Sequence, residues 1–165
     1  MKQNNHICIV TPVFNDWDCL LILHGELQRE FALMGRSFTL LAVNDGSTLN
    51  IPAAFINGGT YNGGALNANS ELKKDILILE LQRNLGHQKA IASGISYANE
   101  ILQPDYVIVM DSDGEDKPQD IKSLIEGLDA DNETIVFAQR RSRQESSLFK
   151  ILYIVYKYCL GFSSR

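Results

Sequence analysis

Four carboxylates crowd into one short stretch of the chain, YVIVMDSDGED at residues 106–116. They directly follow a run of apolar residues and are Asp111, Asp113, Glu115 and Asp116. Like charges this close repel one another unless a cation neutralises them. Mg²⁺ and Mn²⁺ take oxygen ligands and are often held by one or two carboxylates together with substrate phosphates. The stretch therefore predicts a divalent-metal site, with Asp111 and Asp113 as the protein ligands.

Two other structures could contain these acidic residues. A calcium-binding EF-hand loop needs Gly at its sixth position and Glu at its twelfth, whereas counting from Asp111 finds Asp116 and Lys122. The spacing therefore argues against a calcium loop. Alternatively, Asp116 and Asp120 flank Pro118 and could favour the N-terminus of a following helix through its dipole. We keep this second interpretation open for Asp116.

The elements that must position these residues follow from the apolar pattern. Five apolar runs predict strands, at residues 7–10, 38–43, 75–81, 106–110 and 134–138. Helices are predicted from Trp17 to Met34, where Gly35 offers a stop, and at residues 90–98 and 121–128. Apolar strands that alternate with helices predict an α/β fold, a Rossmann-like, mostly parallel sheet with helices on both faces. The Gly- and Asn-rich residues 57–70 predict a mobile surface loop.

Unusual polar residues follow each of the first four predicted strands. The segments are TPVFND, NDGS, QRNLGH and DSDGED. In open parallel sheets, ligands bind beyond the carboxyl ends of the strands, so these segments predict one shared crevice. The chain has neither a GxGxxG nor a GxxxxGK[ST] phosphate loop. A metal ion therefore remains as the means of holding a phosphorylated ligand there.

Composition limits the classes of protein to which the chain can belong. With 165 residues, 45% of them hydrophobic, it can bury one ordinary core. A net charge of -5 argues against a nucleic-acid partner, which would need a basic surface. Three cysteines without a CxxC motif indicate a reducing, cytoplasmic compartment. No apolar run reaches the length of about 18 residues that a membrane span needs.

Taken in order, five motifs resemble those of the family 2 glycosyltransferases of GT-A fold, especially the polyprenyl-phosphate (dolichol- or undecaprenyl-phosphate) sugar transferases. The motifs are IVTPVFND, AVNDGST, RNLGHQKAIASGISYA, VIVMDSDGEDKPQDI and AQRRSRQES. The resemblance implies an inverting transfer from a UDP- or GDP-linked sugar to a lipid-phosphate or saccharide acceptor, with Mg²⁺ or Mn²⁺ as cofactor. This sequence departs from the family where Asp16 replaces the commoner Glu, and where Gly114, Lys117 and Gln119 make the turn after the DxD motif atypical.

The resemblance also implies roles for individual residues. Those implied to hold the nucleoside are Pro12, Phe14, Asp16 and Asp45, the last by accepting a hydrogen bond from the base. Those implied to lie over the rest of the donor are Arg83, Asn84, Gly86 and His87. Asp111 would face the nucleotide-sugar, and Asp113 the metal and the diphosphate. The phosphate-binding arginines would be Arg140, Arg141 and Arg143.

Simpler roles remain open for several of these residues. Phe14 could pack in the core, Asp45 could cap a turn in an Asp-Gly pair, and His87 could cap a helix. The arginine run could be a solvated charged face. None of these alternatives involves a ligand.

We expect residues 1–145 to form the nucleotide-sugar-binding domain and residues 146–165 an amphipathic helix. That helix would begin an acceptor-binding or membrane-proximal region, and because members of the family continue well beyond this length, we expect the chain to be truncated. Its apolar face would suit the inner surface of a membrane, the missing domain or a homodimer contact. The resemblance thus places the chain in the cytoplasm at the cell envelope.

Two rival functions remain. A non-catalytic nucleotide-binding module would bind the same ligands without turnover. A haloacid-dehalogenase-type phosphatase also carries Asp-x-Asp after an apolar strand, but here Glu115 follows Gly114 where that family has Thr or Val, and the strand is fourth rather than first.

Overall fold

The computed structural model describes residues 6–55, 75–129, 135, 136 and 138. Contacts between residues divide the chain into one unit over residues 1–123 and another over residues 124–165. The predicted domain boundary at residue 145 stays a prediction.

Several predictions from the sequence lie outside the described residues. These are the surface loop at 57–70, the arginines at 140, 141 and 143, and the helix at 146–165. Of the predicted fifth strand, only residues 135, 136 and 138 are described, and none of these three is in a strand.

Four parallel strands form the sheet, in the spatial order β3-β2-β1-β4. The strands are β1 (Ile7–Val13), β2 (Phe38–Asn44), β3 (Ile76–Glu80) and β4 (Tyr106–Val109). The helices are α1 (Trp17–Met34), α2 (His87–Tyr97) and α3 (Ile121–Asp129), with short 3-10 helices at Ala53–Phe55 and Pro118–Asp120 and a π-helical turn at Ala98–Leu102. The α/β fold with a parallel sheet is confirmed.

Successive side chains of a strand project from opposite faces of the sheet, and helices cover both of these faces. On one face, Gly94 of α2 lies so close to Val10 and Val43 that a Cβ there would come within 2.6 Å of either side chain. On the opposite face, Phe38 stacks on Phe31 of α1 with ring centroids 4.5 Å apart. The predicted arrangement of helices on both faces is therefore confirmed.

The first strand is longer than predicted, since it continues through Pro12 to Val13. Pro12 cannot donate a ladder hydrogen bond, which normally keeps proline out of central strands. However, β1 pairs with β4 only as far as Val10, which lies opposite Val109. Beyond Val10, β1 pairs with β2 alone among the described strands. This end of β1, which is unpaired on the β4 side, carries the first of the predicted ligand-binding residues.

Helix α1 ends where the sequence predicts, at Gly35 in the left-handed conformation with φ of 63°. Near the amino end of the sheet, α1 is anchored by Asp75. The Asp75 carboxylate accepts a hydrogen bond of 2.8 Å from Gln28, and His24 Nε2 lies 3.2 Å from Asp75 Oδ1, an ion-pair distance without hydrogen-bond alignment. Within the described part of the chain, no helix is both long and apolar enough to cross a membrane.

Candidate functional site

The segments that follow β1 and β2 are joined by a network around Asn15. Its Oδ1 accepts hydrogen bonds from Thr48 N at 2.8 Å, Thr48 Oγ1 at 3.2 Å and Leu49 N at 2.9 Å. Its own N–H donates to Ser47 Oγ at 2.9 Å, and Trp17 Nε1 donates to Leu49 O at 3.2 Å. Asn15 has φ of 60°, a left-handed conformation that Asn tolerates better than most residues. We call residues 14–16 the β1 loop and residues 45–49 the β2 loop.

The β2 loop is bonded equally closely to residues 81–86, the β3 loop. Asp45 is 3% exposed, and its Oδ1 and Oδ2 accept hydrogen bonds from Leu85 N at 2.7 Å and Gly86 N at 2.9 Å. Gly46, with φ of 73°, lies directly against the backbone, since a Cβ there would be 2.6 Å from Asn84 N. The three loops therefore form one hydrogen-bonded assembly at the carboxyl edge of the sheet.

The four crowded carboxylates form a compact turn over residues 111–116, the acidic turn. Asp111 N donates to Asp116 Oδ2 at 3.0 Å, and Glu115 N donates to Asp113 Oδ1 at 2.8 Å. Gly114 has φ of 82°, which permits the reversal. Asp116 thus accepts a hydrogen bond from the backbone N–H of Asp111, just after β4. The sequence did not predict this hydrogen bond, since the role considered for Asp116 was an interaction with a helix dipole.

One cavity of about 170 Å³ is lined by residues from the end of β1 and the β1 loop, from the start of α2 and from the acidic turn. Six of its lining residues are predicted site residues: Pro12, Phe14, Asp16, His87, Asp111 and Asp113. Ser112 completes the lining. The His87 Nε2 lies 3.5 Å from Asp111 Oδ1, with the two side chains 57% and 37% exposed. The cavity is therefore open to solvent and carries three carboxylates beside one imidazole.

A larger cavity of about 420 Å³ lies between α1 and the acidic turn and shares Ser112 and Asp113 with the first. Cys19, Ile22 and Leu23 provide an apolar wall from α1. A hydrogen bond to Asp16 raises the pKa of the Cys19 thiol above its ordinary value.

The structure decides between some of the alternative roles. Phe14 is 50% exposed, so it is not a core residue. His87 is the first residue of α2 rather than its cap, which is Gly86. Arg83 and Asn84 are exposed in the β3 loop, and neither is among the residues that line the smaller cavity. Their contacts to a donor stay predictions.

The carboxylates fit a metal that is shared with a substrate. Among the described residues, no group of three or more His, Cys, Asp or Glu side chains gathers closely enough to hold a metal by itself. Magnesium, however, usually retains several other ligands and is bound by one or two carboxylates plus substrate phosphates. Asp111 and Asp113, lining the same open cavity, match that requirement.

The residues that join the loops were not predicted from the sequence; they are Asn15, Ser47, Thr48 and Leu49. A signal for Asn15 was present, because a polar residue between Phe14 and Asp16 at a strand-to-helix turn favours a left-handed conformation. Nothing in the sequence indicated which loop it would bind.

The parallel sheet with helices on both faces places the chain in the open-sheet α/β class, whose ligands bind beyond the carboxyl ends of the strands. Comparison with protein families is more specific. The profile of glycosyl transferase family 2 matches residues 8–162, nearly the whole chain, and the chain belongs to this family. The resemblance found from the motifs is therefore confirmed.

Individual relatives agree with the family assignment. The uncharacterized glycosyltransferase YkcC of Bacillus subtilis (strain 168) is 31% identical over 156 residues, which cover 91% of this chain and 42% of YkcC. The uncharacterized glycosyltransferase sll0501 of Synechocystis is 32% identical over 148 residues, which cover 87% and 40%. An undecaprenyl-phosphate 4-deoxy-4-formamido-L-arabinose transferase of Klebsiella pneumoniae (strain 342) is 26% identical over 140 residues, which cover 85% and 38%. The chain thus spans about two fifths of the length of these relatives.

Proposed function

We propose that the chain binds a nucleotide-diphosphate sugar, together with Mg²⁺ or Mn²⁺, for inverting transfer of the sugar to an acceptor. The observation that supports this most strongly is the convergence of Phe14, His87 and Asp113, from three separate segments, on one solvent-open cavity. Membership of glycosyl transferase family 2 supports the reaction class.

The cavity has two chemically different sides. On the β1 side, the half-exposed ring of Phe14 offers an apolar face on which a nucleobase can stack. Pro12 and Asp16 line the same side and would contact the base and ribose. On the β4 side, the carboxylates of Asp111 and Asp113 favour a cation and repel a diphosphate that carries no metal ion. This polarity orients the donor with its nucleoside towards β1 and its diphosphate towards the acidic turn.

Asp113, with help from Asp111, would hold the metal ion. When bound, the ion supplies Lewis-acid stabilisation of the departing nucleoside diphosphate. Asp111 would also face the sugar, and His87, 3.5 Å from its carboxylate, lies where a donor phosphate or sugar hydroxyl can be hydrogen-bonded.

The acceptor that we propose is a polyprenyl phosphate. The name of the relative from Klebsiella includes undecaprenyl phosphate, which supports this class of acceptor. A phosphate acceptor is already anionic and can attack the anomeric carbon without a strong protein base, whereas a hydroxyl would require one. Arg140 and Arg143 would bind phosphate, and the apolar face predicted at residues 146–165 would suit a membrane surface.

Calorimetry with UDP-, GDP- and dTDP-sugars, each with and without Mn²⁺, tests this proposal. We expect one nucleotide class to bind with Mn²⁺ and to bind at least about tenfold more weakly after chelation. Asp113→Asn should abolish the metal-dependent part, whereas the matched control Asp120→Asn, an exposed carboxylate close by in sequence, should retain it. Failure of every nucleotide to bind under every metal condition would refute the proposal, and binding without turnover would support the rival non-catalytic module.

A further inference from the structure

Side chains alternate between the smaller cavity and the protein interior where β1 passes into α1. Pro12, Phe14 and Asp16 line that cavity. Two of the odd-numbered residues between and after them, Val13 and Trp17, are buried, at 2% and 3% exposed. Alternation of this kind is normal within a strand, but here it continues beyond Val13, the last residue of β1. Contacts other than the pairing of strands must therefore maintain it.

Hydrogen bonds to the β2 loop fix both ends of this strand-to-helix turn. Val13 O accepts a hydrogen bond of 2.8 Å from Asp45 N. The Trp17 ring donates a hydrogen bond of 3.2 Å from Nε1 to Leu49 O, and Trp17 is also the first residue of α1. The strand end and the helix start are thus both attached to the β2 loop, and the β1 loop connects them.

Asn15, in the middle of the β1 loop, is bonded to the β2 loop by its side chain and by its backbone. Its Oδ1 accepts hydrogen bonds from Thr48 and Leu49, and its N–H donates to Ser47 Oγ. The φ of 60° at Asn15 is costly for most side chains, and these hydrogen bonds compensate for that cost. Asn15 is not among the residues that line the smaller cavity, whereas both of its neighbours are.

Neither neighbour of Asn15 is held in place by deep burial. The Phe14 ring is 50% exposed, and Asp16 is the N-cap of α1 without a side-chain capping hydrogen bond. The directions in which these two side chains leave the backbone, relative to each other, depend on the φ and ψ angles of the residue between them. A different conformation at Asn15 would therefore turn Phe14 and Asp16 away from their common cavity.

We propose that Asn15 is a positioning residue of the donor site: its hydrogen bonds to the β2 loop hold the left-handed turn that directs Phe14 and Asp16 into one cavity. The consequence for binding rests on the proposed function, in which these two residues contact the base and the ribose. Two substitutions isolate the contribution of Oδ1. Asn15→Asp keeps an acceptor oxygen and tolerates the left-handed conformation, whereas Asn15→Gly tolerates that conformation and has no acceptor.

Amide hydrogen exchange tests the hydrogen bonds in the free protein. The amides of Thr48 and Leu49 should be protected in the wild type, although both residues are exposed. In Asn15→Gly they should exchange about tenfold faster or more, and in Asn15→Asp they should stay within about threefold of the wild type. Gln28→Ala, which removes a hydrogen bond of α1 to Asp75, should leave both amides unchanged. Wild-type amides that exchange as fast as those of an unbonded loop would overturn the proposal.

Nucleotide affinities test whether Asn15 acts through Phe14. Asn15→Gly should weaken the Mn²⁺-dependent binding of the nucleotide that the wild type prefers by about tenfold, and Asn15→Asp should restore it to within about threefold. In the Phe14→Ala background, Asn15→Gly should cost less than about threefold, because the ring that it directs is gone. Gln28→Ala should bind like the wild type, which separates positioning from a general loss of stability. Equal losses in the two backgrounds would contradict a positioning role.

Failure of the donor site and failure of this inference give different results. If no nucleotide binds the wild type, the proposed function fails. Amide exchange and the ring resonances of Phe14 in the free protein then still decide the role of Asn15. Those resonances should move towards unfolded-chain values in Asn15→Gly and not in Asn15→Asp, and resonances that are the same in both variants would overturn the proposal.

Discussion

The two sides of the candidate site are held together in different ways. The β2 loop has one local hydrogen bond, from Ser47 N to Asn44 Oδ1, but its bonds to the neighbouring loops join residues far apart in sequence, with separations of 32 to 34 positions to the β1 loop and of 40 and 41 positions to the β3 loop. The hydrogen bonds of the acidic turn described above join residues 5 and 2 positions apart. One side is thus assembled from distant segments, and the other is folded by its own carboxylates.

The two sides therefore contribute differently to the site: the β2 loop maintains its shape, and the acidic turn supplies its exposed charge. The β2 loop contributes to the site by holding its neighbours, and its buried Asp45 accepts hydrogen bonds from the backbone of the β3 loop. The acidic turn instead presents Asp113 to solvent and to both cavities. Substitutions in the β2 loop should therefore affect stability strongly, whereas substitutions in the acidic turn should affect ligand binding with little loss of stability.

The largest effect on stability is expected for Gly46→Ala. A Cβ at this residue would be 2.6 Å from Asn84 N, and the residue has φ of 73°, so both overlap and backbone strain oppose the change. We expect unfolding free energy to fall by about 3 kcal/mol or more, measured by urea denaturation. Gly25→Ala is the control: nothing lies within 4 Å of its Cβ, and it should stabilise α1 by about 0.5–1 kcal/mol. Similar small effects at both glycines would contradict the tight contact of the β2 and β3 loops.

Asn15→Ala should have the next largest effect. The change removes the acceptor of three hydrogen bonds and places alanine at φ of 60°. Loss of about 2 kcal/mol is expected, because water can partly replace the bonds in this exposed loop. Asn15→Asp keeps an acceptor oxygen and should remain within about 1 kcal/mol of the wild type. If both variants lose the same stability in urea denaturation, the Oδ1 network is not what joins these loops.

Acid should weaken the attachment of α1 to Asp75, near the amino end of the sheet. Burial raises the pKa of Asp75, but the hydrogen bond from Gln28 and the interaction with His24 outweigh burial and hold the pKa below its ordinary value. A depressed pKa contributes stability that is present above the unfolded-state pKa and is lost as the pH falls through the folded-state pKa, from about pH 4 downward.

Asp75→Asn should accordingly be less stable than the wild type at pH 7, and the difference should shrink as the pH falls towards about 3. Urea denaturation of both proteins over this range measures it. A difference that is constant with pH would show that the charge of Asp75 does not contribute.

The smallest effect on stability is expected for Asp113→Asn. Asparagine keeps the oxygen that accepts from Glu115 N, and the side chain is exposed. Unfolding free energy should change by less than about 0.5 kcal/mol, while metal-dependent nucleotide binding disappears. A loss of stability comparable with that of Asn15→Ala would remove the contrast between the two sides.

More of the acidic turn than of the β2 loop could be predicted from the sequence. The acidic turn was recognisable because its carboxylates lie within six consecutive positions and follow an apolar strand. The periodicity of apolar residues likewise predicted the four described strands and α1, including its end at Gly35. Local signals of this kind do not depend on knowing which segments are neighbours in space.

The role of the β2 loop was not predictable in the same way. An Asp-Gly pair after a strand is compatible with a turn cap, a ligand contact or a hydrogen bond to another loop, and only the strand order β3-β2-β1-β4 places it between the two loops that it holds. Pro12 shows the same limitation, since its place within β1 depends on where β4 ends.

The most direct test is to locate the metal by the line broadening that Mn²⁺ causes in the amide spectrum of the protein with UDP or GDP. We expect broadening centred on Ser112 and Asp113, extending across the cavity to His87 and Phe14, and absent near Asp75 at the amino edge of the sheet. In Asp113→Asn the broadening should disappear at the same metal concentration. Broadening centred away from the acidic turn, or unchanged by Asp113→Asn, would contradict a metal-held diphosphate in this cavity.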